Sequence, residues 1–263
     1  MKIFSIFSTL FKRKSKPDIQ HLQKIYHELE ALDKAKSDFL TLISHEIRTP
    51  LAVINSSLEL LKTTEEPESR SKLMDMAKKH VARLRKFAEY AIDISALDIG
   101  KLELKKESFM INEVIDEVMN RYAPSIESKV LTLYLESHGE PIFIFSHKEK
   151  IKNILSELIE NAIENSEEQK NIFIEIHRDE KYCTVCIRDQ GAGIEEDMKD
   201  LVFEPMTKMG DILSHSKGTG LSMYWAKKIL ALLGGEISFT SHKGEGTEFV
   251  FKAPLALSKR LAA

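Results

Sequence analysis

The chain has 263 residues, 43% of them hydrophobic and 30% charged, with a formal net charge of -3. That length allows two domains with cores of their own. The near-balanced charge gives no reason to expect nucleic acid as a partner. Two cysteines, Cys183 and Cys186, cannot form a disulfide framework.

No run reaches the ~20 apolar residues that span a bilayer, so a cytoplasmic protein is expected. Residues 1–16, MKIFSIFSTLFKRKSK, place Ile3, Phe7, Leu10 and Phe11 ahead of Lys12, Arg13, Lys14 and Lys16. On a helix this would be an apolar face backed by a basic cluster, suited to peripheral contact with the inner membrane surface. A frayed terminus or a partner-contact helix is the alternative. Residues 1–36 are read as this segment plus a coiled-coil lead-in.

A long helix is expected from Asp18 to about Leu61. Leu22, Ile25, Leu29 and Leu32 repeat at the spacing of a coiled-coil seam. At about 100° per residue, Leu40, Ile43, Ile47, Leu51, Ile54 and Leu58 then share one side. His45 points roughly 150° away from them, with Glu46 beside it. Pro50 should bend or loosen the helix. Residues 62–68 read as a turn, and a second helix is expected from about Ser69 to Ser95. Its buried side should carry Leu73, Met76, Ala77, Val81, Leu84, Phe87, Ala88, Ala91 and Ile92. Each helix has more apolar surface than one partner covers. A second copy of the hairpin would close a four-helix bundle, so residues 37–100 should make a homodimer.

From Leu97 to Lys106, Leu102 and Leu104 alternate with charge as in a strand. A second domain, residues 101–255, should follow, with an eight-residue tail, 256–263. Its expected helices are Ile111–Tyr122, Lys148–Asn165 and Gly220–Leu233. Its expected strands are Val130–Leu135, Pro141–Phe145, Asn171–His177, Tyr182–Arg188 and a closing hairpin, Gly235–Ser241 with Thr247–Ala253. The fold class is α+β: a dimeric helical hairpin, then a mixed sheet with helices on one face, a two-layer sandwich. Cys183 and Cys186 should face opposite sides of their strand and chelate nothing together. The aperiodic stretch between Glu195 and Lys217 reads as a functional loop.

Several short signals in this domain suit a nucleotide. Glu157 and Asn161 share a helix face and could hold a divalent ion. Asp189, with Gly191 and Gly193, follows a strand; the glycines would let backbone approach a flat ligand and Asp189 could accept from an amino group. Gly218, Thr219, Gly220 and Leu221 open a helix whose N–H groups could meet phosphate. Gly244, Gly246 and Thr247 close the series.

Phe39, Ser44, His45, Glu46, Ile47, Arg48, Thr49, Pro50 and Leu51 resemble the H box of sensor histidine kinases, F-(x)4-S-H-E-(L/I)-R-T-P-L. The later series, with Phe203–Met206, resembles the N, G1, F, G2 and G3 boxes of their catalytic domain, of the ATPase superfamily shared with gyrase. The resemblance implies that His45 takes the γ-phosphate of ATP, with Glu46 orienting it and acting as base. Asn161, helped by Glu157, would hold Mg²⁺. Asp189, Gly191, Gly193 and Thr247 would line the adenine site, and Gly218, Thr219, Gly220 and Leu221 would lie in the phosphate lid. The phosphoryl group would pass to an aspartate of a separate response-regulator receiver, and Thr49 could serve its dephosphorylation. Glu164 and Asn165 depart from the pattern, replacing a basic and an aromatic residue; Lys208 and Lys217 are candidates for the lost positive charge. A phosphotransfer adaptor with a degraded nucleotide domain is the alternative.

Overall fold

A computed structural model describes residues 19–137, 141–205 and 220–256. The chain divides into two compact units, Met1–Arg48 and Thr49–Ala263. The first helix, α1 (Ile19–Thr63), starts in the first unit and ends in the second, and helical structure is unbroken at Pro50. In the first unit Tyr26, Leu29 and Leu40 are exposed. The side chains of Leu22, Ile25 and Leu32, and all of residues 1–18, lie outside the described residues.

In the second unit α1 turns into α2 (Pro67–Asp98) through only three residues, fewer than the turn expected. Arg70 sets the turn. Its guanidinium donates to the carbonyls of Leu61 and Thr64 at 2.7 and 2.8 Å, satisfying acceptors orphaned at the end of α1. Pro67 opens α2 where a missing N–H costs nothing.

The apolar sides of this hairpin are not covered by the described residues. Leu51, Leu58, Leu60, Met76, Val81 and Ile92 all remain exposed. Of the second helix's expected buried side only Ala77 and Phe87 are buried. Ala88 is exposed as well, and Leu73, Leu84 and Ala91 are half-buried. Near its C-terminal end α2 instead buries Tyr90, Asp93 and Ile94, because this stretch packs on the downstream domain.

That domain comprises β1 (Glu107–Met110), α3 (Ile111–Ser128), β2 (Thr132–Ser137), β3 (Phe143–Ser146), α4 (Lys148–Asn165), β4 (Asn171–Arg178), β5 (Tyr182–Arg188), α5 (Ser222–Leu233), β6 (Glu236–His242) and β7 (Gly246–Pro254). A 3-10 helix spans Glu196–Leu201. The main sheet runs β2-β4-β5-β7-β6, with β2 and β4 parallel and the rest antiparallel; β1 and β3 form a separate antiparallel pair. Period-two burial puts Ile172, Ile174, Ile176, Cys183, Val185, Ile187, Phe251 and Ala253 in the core. Ile111, Val114, Ile115 and Val118 of α3 supply a helical stripe, as do Ile151, Ile154, Leu155, Leu158 and Ile159 of α4 and Trp225, Ala226, Ile229 and Leu230 of α5. Each of the Ile, Leu, Val and Phe side chains among them contributes about 1.5–3 kcal/mol by leaving water. Cys183 is buried and Cys186 half-buried on the opposite face, as expected.

Several boundaries differ from expectation. Leu102 and Leu104 do alternate half-buried with exposed neighbours, but they join no ladder; the strand begins at Glu107. Helix α3 runs six residues beyond Tyr122, through Pro124. It closes with the N–H groups of Val130 and Leu131 donating to Glu127 and Ile126. Val130 therefore does not start a strand. It is a left-handed cap residue at φ 56°, the position glycine usually fills. Finally, α5 begins at Ser222, two residues after Gly220.

Candidate active site

His45 stands on α1 with its side chain 73% exposed, while Glu46 is 8% exposed. Its Nδ1 lies 3.6 Å from Glu46 Oε1. Ser44 donates back to Leu40 O at 2.9 Å, which leaves its hydroxyl engaged along the helix. Pro50 has no N–H for the carbonyl of Glu46, four residues earlier, so the turn that carries the carboxylate lacks one helical bond. Thr49 is exposed.

In the second unit Asp189 follows β5 and is almost fully buried. Its Oδ1 accepts from the backbone N–H of Gly191 at 2.9 Å and of Thr247 at 3.1 Å. Its own N–H donates to Thr247 O. Burial raises the carboxyl pKa, and the two N–H donors pull the other way. Among the described residues Oδ2 receives no hydrogen bond. A fixed carboxylate oxygen offered at a buried edge suits an exocyclic amino group. Thr247 is buried beside it, its hydroxyl 2.9 Å from Ser241 Oγ, and Ser241 accepts from Ile194 N–H. Ser241 was not singled out from sequence. Its one signal is its place opposite Thr247 in the closing hairpin.

The glycines here serve the protein's own backbone. A Cβ on Gly191 would meet Asn165 O at 2.3 Å, on Gly193 His242 O at 2.1 Å, and on Gly246 Asp189 O at 2.1 Å. Gly191 and Gly193, expected to let backbone approach a ligand, bring the end of α4, the DQGAGI turn and the β6–β7 hairpin into contact. Because Gly191 abuts Asn165, Asp189 sits by the C-terminal end of α4. Asn161 and Glu157 lie one and two helical turns back, at about 5.4 Å per turn. Lys129 closes that helix end, donating to the carbonyls of Ile163, Glu164 and Ser166.

Along α4 runs a cleft of about 690 Å³. Glu157, Glu160, Asn161 and Glu164 form one wall, and Met76, Lys79, His80, Arg83 and Lys86 of α2 the other. Glu157 is nearly buried, and its Oε1 accepts from Lys86 Nζ at 2.8 Å and Tyr90 OH at 2.7 Å. Lys86 also donates to Glu160 at 2.6 Å. Burial works against the Lys86 ammonium, but Glu157, Tyr122 and Glu160 outweigh it and raise its pKa. Burial, then Glu157, pushes the Tyr90 phenol up. Burial, with Arg83 and Lys79 adjacent, holds the His80 imidazole below its ordinary value. So Glu157, expected beside Asn161 as a metal ligand, is held by α2 in this arrangement. Asn161 lines the cleft, and an amide oxygen with phosphate oxygens and water is the set that Mg²⁺ takes with nucleotides.

The seam continues beyond Glu157. Tyr90 stacks on Trp225 with ring centroids 4.2 Å apart. Asp93 accepts from Trp225 Nε1 at 2.8 Å and from Lys150 Nζ. Sequence reading named none of these four. A lone tryptophan on an apolar helix was the available hint, since a buried indole N–H needs an acceptor. Gly220 (φ 64°) and the buried Leu221 precede α5. Phe203 packs edge-on against Phe239 at 5.6 Å. Lys208, Lys217, Gly218 and Thr219 lie outside the described residues.

An exposed histidine beside a carboxylate on one helix, and a glycine-built aspartate pocket on a mixed sheet, define a phospho-acceptor hairpin joined to an ATPase-type domain. Comparison agrees on both parts. The His Kinase A (phospho-acceptor) domain family matches residues 35–100. The histidine kinase-, DNA gyrase B- and HSP90-like ATPase family matches residues 146–257. The chain thus joins a His Kinase A domain to a histidine kinase-type ATPase domain, and the curated proteins it resembles are sensor histidine kinases.

It is 28% identical over 238 residues to the sensor histidine kinase RcsC of Escherichia coli, covering 90% of this chain and 25% of that protein. It is 29% identical over 243 residues to the autoinducer 2 sensor kinase/phosphatase LuxQ of Vibrio parahaemolyticus, covering 90% and 28%. The chain thus spans about a quarter of the length of these curated relatives. The catalytic domain of the histidine kinase ThkA superposes with a TM-score of 0.51 at 27% identity, over 57% of this chain and 98% of that one. Histidine kinase ThkA in complex with the response regulator TrrA shares the fold, with a TM-score of 0.56 at 21% identity, over 94% of this chain and 67% of that one. No helix among the described residues is long and apolar enough to cross a membrane.

Proposed function

We propose that the chain is an ATP-dependent protein-histidine kinase that phosphorylates His45 and passes the phosphoryl group to an aspartate of a separate receiver protein. The observation that carries this is the exposed imidazole of His45 with the Glu46 carboxylate 3.6 Å from Nδ1. A carboxylate on that side favours the tautomer with the proton on Nδ1 and leaves the Nε2 lone pair for attack on the γ-phosphorus. As the N–P bond forms and the bond to ADP breaks, Glu46 stabilises the imidazolium and can take its Nδ1 proton.

Phosphoryl transfer asks the protein mainly for position and charge. Asp189 Oδ2 would accept from the adenine amino group while Oδ1 stays fixed by Gly191 and Thr247. Asn161 would hold Mg²⁺ on the triphosphate, and the ion would supply charge neutralisation there. Gly193, Gly220 and Leu221 would shape the backbone around the nucleotide, with Gly218 and Thr219 as further nucleotide-binding candidates and Lys208 and Lys217 as candidates for the positive charge that phosphate needs. Thr49, one turn beyond His45, would position water when the phosphorylated receiver is hydrolysed. The exposed apolar residues Leu51, Leu58, Met76, Val81 and Ile92 support a homodimer through the hairpin. The sensor kinase/phosphatase wording of one relative and the receiver complex of another make the receiver the natural partner.

Mapping phosphate on peptides after incubation with Mg-ATP tests this reading. Modification should fall on the peptide holding His45 and depend on Asp189. Phosphate confined to serine, threonine or tyrosine would refute it.

A further inference from the structure

Behind Asp189 and Thr247 stands one buried hydroxyl whose bonding has a single solution. Ser241 lies in β6 opposite Thr247 of β7. Its Oγ has three polar neighbours, each at 2.9 Å: the N–H of Ile194, the carbonyl of Gly246 and the hydroxyl of Thr247. A serine hydroxyl has one proton and two lone pairs. The Ile194 N–H can only donate, so it takes one lone pair. The Gly246 carbonyl can only accept, so it takes the proton. The second lone pair is left for Thr247, whose hydroxyl donates to it.

Thr247 Oγ1 therefore keeps only lone pairs for a ligand. Asp189 is its fixed neighbour: Thr247 N–H donates to Asp189 Oδ1 at 3.1 Å, and Thr247 O accepts from Asp189 N–H at 2.9 Å. Asp189 Oδ2, as a carboxylate oxygen, is an acceptor too. Both side chains that this corner offers to a base thus present acceptors.

We propose that Ser241 is a positioning residue for base selection: it holds the Thr247 proton away from the nucleotide and so favours a 6-amino purine over a 6-oxo purine. The inference rests on the nucleotide reading above and adds a determinant of its specificity.

The choice follows from the edges of the two bases. Adenine carries an amino group at position 6, which donates. Hypoxanthine is close to it in shape but carries a carbonyl there, which only accepts. Its N1–H can serve one acceptor of the corner and leaves the oxo group facing the other. Polar groups left unmatched in a buried site are costly, and such sites reject the wrong isostere strongly. A Thr247 hydroxyl free to turn would remove the mismatch, since it could donate to the oxo group while Asp189 accepts from N1–H. Ser241 prevents that turn and is itself braced on both sides. Gly244 N–H donates to Ala192 O at 2.7 Å, and Lys243 pairs with Glu195, tying the hairpin to the DQGAGI turn.

The test measures binding of ATP and of inosine triphosphate to the full chain with Mg²⁺ by equilibrium dialysis. The unmodified protein should prefer ATP by about 100-fold or more. Ser241→Ala should narrow that ratio about 10-fold, chiefly through tighter binding of inosine triphosphate. If Ser241→Ala does not fold, Ser241→Cys, with a thiol that bonds weakly, should show the same narrowing. An unmodified protein without preference for ATP, or a ratio that stays constant in the variants while both nucleotides weaken alike, would overturn the inference and leave the nucleotide reading standing. An unmodified chain that binds neither nucleotide would overturn both.

Discussion

Around Asp189 and along the α2 seam, buried charge is satisfied in opposite ways. Asp189 is held by backbone N–H groups of Gly191 and Thr247, and glycines let three segments close to contact distance around it. Glu157 and Asp93 are held by side chains from α2, α4 and α5 that are 57 to 132 residues apart in sequence. Backbone donors cannot withdraw without unfolding the turn. Side-chain donors on a separate helix can leave together, at the cost of exposing the charges they cover. The first arrangement fixes a site within one local turn; the second joins separate helices through side chains alone.

The largest expected effect would break the rigid region. Gly246→Ala would push a Cβ to 2.1 Å from Asp189 O at φ 101°. That should cost about 3 kcal/mol or more, read as a large fall in melting temperature with nucleotide binding lost. Asp93→Ala comes next. It leaves the Lys150 ammonium and the Trp225 N–H without their acceptor and should weaken docking by about 3 kcal/mol. Hydrogen exchange should quicken in α2 from residue 83 to 97 and stay slow in β4, β5 and β7. Equal quickening in the sheet would mean the seam is part of the domain's core.

Smaller changes sharpen the contrast. Asp189→Asn keeps the shape but can present N–H where the adenine amino group needs an acceptor, so nucleotide affinity should fall about 10- to 100-fold, with the melting temperature little changed. Acid should act the same way. Because the Asp189 pKa is raised above its ordinary 3.8, protonation starts at higher pH than for a free aspartate. Adenine-nucleotide affinity should therefore decline on acidification before pH 3.8 is reached, and Asp189→Asn should lack that decline. Val130→Gly is the mildest: relief at φ 56° should add about 1 kcal/mol to stability, measured by thermal melting, with nucleotide affinity unchanged.

The rigid region was open to sequence reading because its parts are local. Asp189, Gly191 and Gly193 lie within five residues, and Thr247 follows Gly246 directly. Helix α4 and strand β5 have the expected limits because their apolar periods are regular and their ends sharp. What Gly191, Gly193 and Gly246 pack against was not legible, since spacing shows where a backbone must come close but not to what. The seam was hidden for a different reason. Lys86, Tyr90, Asp93 and Trp225 have no shared motif, and only the packed fold brings them together. Val130 was hidden too, because a β-branched residue signals a strand and not a left-handed cap.

The most direct test of the account is transfer of the γ-phosphate of labelled ATP to the purified chain with Mg²⁺, alongside His45→Gln. The account predicts label that is lost in acid, kept in base and absent from His45→Gln. A folded chain that binds Mg-ATP yet takes up no such label, while accepting phosphate on His45 from another kinase, would contradict it and make the chain a phosphotransfer adaptor.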